Sequence, residues 1–222
     1  MSHVSVAILA GGRATRFDGR DKSALVVGGR TILDRQLEAF RALTDDILIV
    51  GGHARLRCSS SFGSAEHVAR ADDVHAGARP FQASVREIAD IVPGCGPLGG
   101  LHAALTAARG DAVFVVACDM PYVTAPLADY LFSLAGDAQI VIPWTERGYH
   151  PLCAVYTRAC LGPVAARLAN QQLAMRELMR DVSVRVVTDS EIGRYGATSR
   201  LLANVNTPAE YADLEALQGH KP

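Results

Sequence analysis

The chain has 222 residues, 49% of them hydrophobic and 20% charged, and 22 Lys and Arg against 23 Asp and Glu leave a net charge of −1. That composition excludes a disordered tail protein, a collagen-like rod and a small disulfide scaffold, and it gives no electrostatic case for a nucleic-acid partner. No apolar run approaches the roughly 20 residues of a membrane-spanning helix, and Met1-Ser2-His3 lacks a secretory n-region, so a cytoplasmic protein with no membrane partner is expected.

Strands and helices alternate along the chain. Val4–Leu9 is an apolar, β-branched run closed by Ala10-Gly11-Gly12 and reads as a buried strand. Thr31–Leu43 carries Leu33, Leu37 and Phe40 at helical spacing. Asp46–Val50 is a second buried strand, stopped by Gly51-Gly52. From His53 to about Ala83 no apolar period is sustained, and this stretch reads as a surface excursion longer than an ordinary loop. Order returns over Val85–Val92, followed by the Gly94–Gly100 loop and a helix over Leu101–Arg109. Asp111–Cys118 is the clearest central strand, and a helix is expected around Pro126–Leu134. Further strands are predicted at Gln139–Pro143, Leu152–Thr157 and Ser183–Val187, with helices at Cys160–Asn170 and Met175–Arg180. A last helix has a start signal in Thr207, Pro208 and Glu210. No linker or repeat divides the chain, so residues 1–222 read as one domain. The alternation predicts a three-layer α/β/α architecture with a mostly parallel sheet, whose ligands bind outside the carboxyl ends of the strands.

Those ends are where the chemistry-bearing residues stand. The loop after the first strand holds three glycines together with Arg13, Arg16, Arg20 and Lys22. Glycines let backbone N–H groups approach a phosphate and the cations neutralise it. The spacing fits neither G-x-x-x-x-G-K-[ST] nor G-x-G-x-x-G. Lys22 also stands out in composition: 20 of the basic residues are Arg, and the other lysine, Lys221, is next to last. Either it is one surface lysine among arginines, or this position requires a compact, pivoting ammonium. Gly94-Cys95-Gly96-Pro97-Leu98-Gly99 does match G-x-G-x-x-G, with Asp119 roughly 20 residues on, so a dinucleotide-binding oxidoreductase is a rival reading. Pro97 counts against it, since proline removes a backbone N–H that would face a pyrophosphate. Asp119 could cap the following helix, sharing that task with Thr124. It could equally hold Mg²⁺ beside a bound triphosphate, since Mg²⁺ sites use one or two carboxylates and substrate phosphates. The five cysteines are scattered and form no C-x-x-C pair; His150-Pro151-Leu152-Cys153 has a zinc-like spacing but no second ligand pair.

Taken in order, Leu9-Ala10-Gly11-Gly12, Arg16, Asp21-Lys22, Asp90, Gly96-Pro97-Leu98, Cys118-Asp119-Met120-Pro121, His150-Pro151 and Asn204-Val205-Asn206-Thr207-Pro208 resemble the MobA family of molybdenum cofactor guanylyltransferases. The resemblance runs over nearly the whole chain. It implies the Rossmann-like nucleotide-diphospho-sugar transferase fold and transfer of GMP from GTP to molybdopterin with Mg²⁺. It further implies that Leu9, Ala10, Gly11 and Gly12 hold the nucleotide through their backbone. Arg16 and Lys22 would act on the triphosphate, Asp90 would help hold the nucleotide, and Asp119 would bind the metal. His150, Asn204 and Asn206 would line the acceptor side. Molybdenum-cofactor delivery proteins or target enzymes are the partners such an enzyme would meet.

The chain departs from the family pattern in three places, one being the excursion from about His53 to Ala83, which is longer than usual. Phe17-Asp18-Gly19 stands where the family often has Met-Gly-Gly, and Val50-Gly51-Gly52 where a nucleotide contact is Asn. A related enzyme using CTP or a sugar-phosphate acceptor, and a protein that holds nucleotide without turnover, remain the alternatives.

Overall fold

The computed structural model describes residues 3–10, 25–27, 29–51, 84–136 and 138–205. The excursion at His53–Ala83 and the helix expected after Thr207 lie outside the described residues. Strand β1 (Val4–Leu9) occupies the middle of a mixed sheet. On one side of it lie β4 (Asp46–Val50) and then β5 (Ser84–Ile88); on the other lies β6 (Ala112–Ala117). Beyond β6 come β9 (Cys153–Thr157), β7 (Ile140–Thr145) and β10 (Val184–Val187). Strands β5, β4, β1 and β6 are mutually parallel, β10 is parallel to β7, and β9 runs antiparallel to both its neighbours. A two-residue strand β8 (Gly148–Tyr149) folds back on β7, and β2 (Val26–Val27) pairs with β3 (Arg30–Thr31) in a separate ribbon.

Both faces of the sheet are covered, which is why its strands are apolar along their length. Val6 and Ile8 point toward helices α1 (Ile32–Phe40) and α3 (Ala125–Ser133) and pack with Leu37, Phe40, Leu127 and Leu131. Ala7 and Leu9 point the other way, toward α2 (Gly96–Ala107) and α4 (Leu161–Ala169), and pack with Leu98, Leu101, Val164 and Leu168. This is the two-residue alternation of a strand feeding two cores. Phe114 closes the first core, meeting Phe40 and Phe132 edge-on at centroid distances of 5.6 and 6.3 Å.

Several element boundaries differ from the expectation. Helix α1 stops at Phe40 instead of Leu43, because the Phe40 carbonyl accepts from both Leu43 and Thr44 and the Thr44 hydroxyl is drawn to the Val4 carbonyl at 2.6 Å. Strand β5 ends at Ile88, short of Val92. Helix α2 starts at Gly96, five residues before the expected Leu101. Gly96, Gly99 and Gly100, read as part of a loop, therefore lie in the helix, and Gly94 precedes it. A Cβ on Gly99 would stand 3.1 Å from both the Cys95 Cβ and the Val92 carbonyl oxygen, and one on Gly100 would stand 3.3 Å from a Leu9 methyl. Close seating of α2 on β1 accounts for Gly100, and the segment before the helix for Gly99; Gly94 and Gly96 have φ of +82° and +59°, a conformation that favours glycine. Two short helices, α5 (Asp189–Ile192) and α6 (Thr198–Leu201), were not expected. Among the described residues no helix is long and apolar enough to cross a membrane.

Candidate active site

From β1 the chain moves outward to β4 and β5, then crosses back to β6 on the other side of β1. Such a reversal opens a crevice at the carboxyl ends of the two strands where it occurs, here β1 and β6. Leu9 and Ala10 form one wall. The Leu9 carbonyl accepts from the Cys118 N–H at 3.1 Å, while the Ala10 N–H donates to the Val50 carbonyl at 2.8 Å. Asp119, half-buried, forms the other wall, one residue beyond Cys118.

The turn that carries Asp119 is held from several directions. Its own closing bond runs from the Met120 N–H to the Ala117 carbonyl at 3.3 Å. The Asp119 carbonyl accepts from the Val205 N–H at 2.9 Å, which sets the exposed Asn204 beside the crevice. From α1, the Gln36 amide nitrogen donates to the Ala117 carbonyl at 2.8 Å and to the Met120 carbonyl at 3.0 Å. Nothing in the sequence marked Gln36, which sits inside an ordinary amphipathic pattern. Thr124 occupies the N-cap position of α3, but its hydroxyl makes no capping bond, so the expected capping role is not filled. A groove lined by Arg30, Arg35, Glu38, Tyr122 and Thr124 borders the same segment from the α1 side.

His150 reaches this edge by a different route. Because β9 is antiparallel to β6, its entry, not its exit, lies next to the carboxyl end of β6, and the Leu152 carbonyl accepts from the Ala117 N–H at 3.0 Å. His150 is fixed there by its N–H to the Pro143 carbonyl at 3.0 Å and by an imidazole Nε2 to Thr145 hydroxyl bond of 2.9 Å. Burial, reinforced by the charge of Arg147, lowers its pKa and favours the neutral ring. Asp90 lies two residues past β5, on the far flank. At about 4.8 Å per strand, β5 lies about 10 Å from β1.

The structure thus brings Leu9, Ala10, Asp119 and Asn204 to one crevice, with His150 on one flank and Asp90 on the other. Gly11, Gly12, Arg16, Lys22 and Asn206 lie outside the described residues. Two cysteines near this edge and behind it are unreactive. Cys153 and Cys160 are fully enclosed, and burial pushes their thiols up to about 12 and about 11. They behave as small hydrophobes. The His150–Cys153 spacing therefore ends on an inert thiol. Among the described residues no group of three or more His, Cys, Asp or Glu side chains converges on a point that could hold a metal.

Residues 6–187 match the family model of the MobA-like NTP transferase domain. The chain belongs to the MobA-like NTP transferase family. It is accordingly a nucleotidyltransferase. A protein of Clostridium perfringens named "Probable molybdenum cofactor guanylyltransferase" is 28% identical over 212 residues, covering 95% of each chain. The molybdenum cofactor guanylyltransferase of Desulfosudis oleivorans is 27% identical over 217 residues, covering 97% of this chain and 96% of its own. Among solved structures, molybdopterin-guanine dinucleotide biosynthesis protein A from Archaeoglobus fulgidus superposes with a TM-score of 0.74 at 19% identity, covering 97% of this chain and 98% of that one. The MobA-like chain thus has the nucleotide-diphospho-sugar transferase fold. Family membership also disposes of the oxidoreductase reading of Gly94–Gly99.

Proposed function

We propose that this single domain is a cytoplasmic molybdenum cofactor guanylyltransferase, which transfers GMP from GTP to the terminal phosphate of molybdopterin and releases pyrophosphate. The observation that carries the reading is the crevice between the carboxyl ends of β1 and β6. There Leu9 and Ala10 stand beside the carboxylate-bearing turn, which is tied to the Asn204 segment.

In this reading an oxygen of the acceptor phosphate attacks the α-phosphorus of GTP in line. The new P–O bond forms as the bond to the β-phosphate oxygen breaks, and the electron pair leaves with pyrophosphate. A phosphate oxyanion is already nucleophilic, so no general base is required, and rate comes from positioning and charge stabilisation. Backbone groups of Leu9, Ala10, Gly11 and Gly12 hold the nucleotide, with Asp90 at its flank. Arg16 and Lys22 neutralise the triphosphate and the departing pyrophosphate. Asn204, Asn206 and the neutral imidazole of His150 line the acceptor side.

The donor set fits Mg²⁺. Asp119 supplies one hard oxygen ligand, and with no protein cage around it among the described residues the remaining positions suit water and phosphate oxygens, as this ion prefers. Bound there, the ion would withdraw charge from the α-phosphate and the leaving oxygen. The product would pass to molybdenum-cofactor delivery proteins or target enzymes.

The test is pyrophosphate release measured with each of the four nucleoside triphosphates, with and without molybdopterin. GTP turnover that requires molybdopterin and a divalent ion is expected. Preference for CTP reassigns the base, turnover only with a sugar phosphate reassigns the acceptor, and GTP binding with no pyrophosphate overturns the enzymatic reading.

A further inference from the structure

We infer that Gln36 is a positioning residue for the Asp119 carboxylate, an inference that rests on the metal-holding role proposed for Asp119. Gln36 is 1% exposed and lies in α1, more than 80 positions from the turn it contacts. Its single amide nitrogen donates to the carbonyls of Ala117 and Met120, the two residues that bracket Cys118 and Asp119. The backbone on either side of the carboxylate is thereby bolted to α1, whose neighbouring residues Leu33, Leu37 and Phe40 are anchored in the core.

The other end of the same amide argues against a role in stability alone. Its Oε1 is buried with no hydrogen-bond partner among the described residues. A buried orphan acceptor is unfavourable, and an apolar side chain of similar volume would remove it. What such a side chain cannot do is grip two carbonyls at once. Groups that orient a metal ligand from behind typically change metal affinity by about 10- to 100-fold when removed.

The experiment uses the full chain with a non-hydrolysable GTP analogue. Mn²⁺ binding is followed by the EPR signal of the free ion, beside the thermal midpoint and the Mg²⁺ dependence of pyrophosphate release. Gln36→Met keeps an apolar side chain of similar volume without a donor; Gln36→Leu does the same with a different shape, and serves if the first variant fails to fold. Both are expected to weaken Mn²⁺ binding about 10-fold or more, to raise the Mg²⁺ concentration for half activation, and to keep a cooperative melt. Asp119→Asn reports on the underlying reading. If it abolishes Mn²⁺ binding while the folded Gln36 variants bind like the parent, the positioning role is overturned, whatever happens to their melting temperature. If Asp119→Asn binds Mn²⁺ as the parent does, the metal role of Asp119 itself falls.

Discussion

Asp46 offers the sharpest test of how the sheet is held together away from the crevice. It opens β4 at the amino edge and is 1% exposed. Its Oδ2 accepts from the Ser5 hydroxyl at 2.6 Å and the Arg109 N–H at 2.9 Å, and its Oδ1 accepts from Arg86 Nε at 3.1 Å and Nη2 at 2.5 Å. One carboxylate therefore joins β1, β4, β5 and the turn leading into β6. Asp46→Ala leaves the Arg109 N–H without its acceptor and Arg86 without its counter-ion. Breaking a buried pair typically costs about 3–5 kcal/mol. The Arg86 side chain is 28% exposed and keeps a 2.9 Å bond to the Ala107 carbonyl, so the lower end, about 3 kcal/mol, applies. At about 2–4 °C per kcal/mol for a chain this size, the melting midpoint should fall by about 6–12 °C.

The pH dependence follows from the same bonds. Burial alone would raise the Asp46 pKa; the Ser5, Arg109 and Arg86 bonds outweigh it and leave it below its ordinary value of 3.8. A depressed carboxyl contributes its stabilisation fully above the unfolded pKa and loses it as pH falls through the folded one. The gap between parent and variant should therefore narrow below about pH 4. Calorimetry from pH 7 downward, with activity per folded molecule as companion, is the assay. A midpoint within about 2 °C of the parent at pH 7, or a gap that stays constant in acid, refutes the reasoning.

Four further outcomes are expected. Gly110→Ala would place a Cβ 2.5 Å from the His3 carbonyl oxygen and 2.8 Å from the Ser5 nitrogen, so urea denaturation should register a loss of about 3 kcal/mol. Glu191→Gln weakens the cap on α5, where the carboxyl sits at about 2, set first by the Thr188 N–H, opposed by burial and helped by Arg185 and Tyr130. The loss, about 1–2 kcal/mol by urea at pH 7, should vanish as pH drops from 4.5 through about 2, since a depressed carboxyl stabilises only while ionised. Under the proposed reading, Lys22→Ala would remove one charge-assisted contact of about 1.5–3 kcal/mol and should slow GTP turnover about 10- to 100-fold in single-turnover kinetics. His150→Ala should raise the acceptor KM while leaving the GTP KM at the parent value, because His150 stands on the β9 flank and not on the β1 wall.

The strands were legible wherever burial on both faces made them continuous apolar runs: Val4–Leu9 and Asp46–Val50 are the observed strands residue for residue. Helix ends were less so, because the bonds that set them are not periodic. Thr44 ends a helical stretch by reaching back to Val4, a contact 40 positions away. The glycines of Gly94–Gly100 misled in an instructive way. A glycine needed for a phosphate, one needed for a positive φ, as at Gly94 and Gly96, and one needed for a neighbouring side chain, as at Gly100 against Leu9, look alike in sequence. The position of Asp119 at the carboxyl end of the most apolar strand was legible, because that strand is a continuous apolar run. Gln36 was not, since its role depends on two carbonyls on a distant segment.

The rule that function gathers at the carboxyl ends of parallel strands holds for only half of this site. Leu9, Ala10, Asp90 and Asp119 follow the ends of β1, β5 and β6 and arrive by strand-to-helix crossovers. His150 arrives at the amino end of β9, through the β7–β8 return, because one antiparallel strand inserted beside β6 turns a strand entry toward the same edge. That insertion has a physical consequence for specificity. On the β1 side the approach to the crevice is framed by rigid strand ends and the close-packed start of α2; on the β9 side it is framed by a hairpin with a Trp144–Tyr149 pair, both side chains exposed. The two flanks meet along the antiparallel ladder of β6 and β9, which pairs Ala112 with Thr157 through Val116 with Cys153 and is continued by the Ala117–Leu152 bond. Under the proposed reading, one flank can change its acceptor while the other keeps its nucleotide, which makes the β7–β9 segment, together with the Asn204 segment, the place where acceptor choice is written.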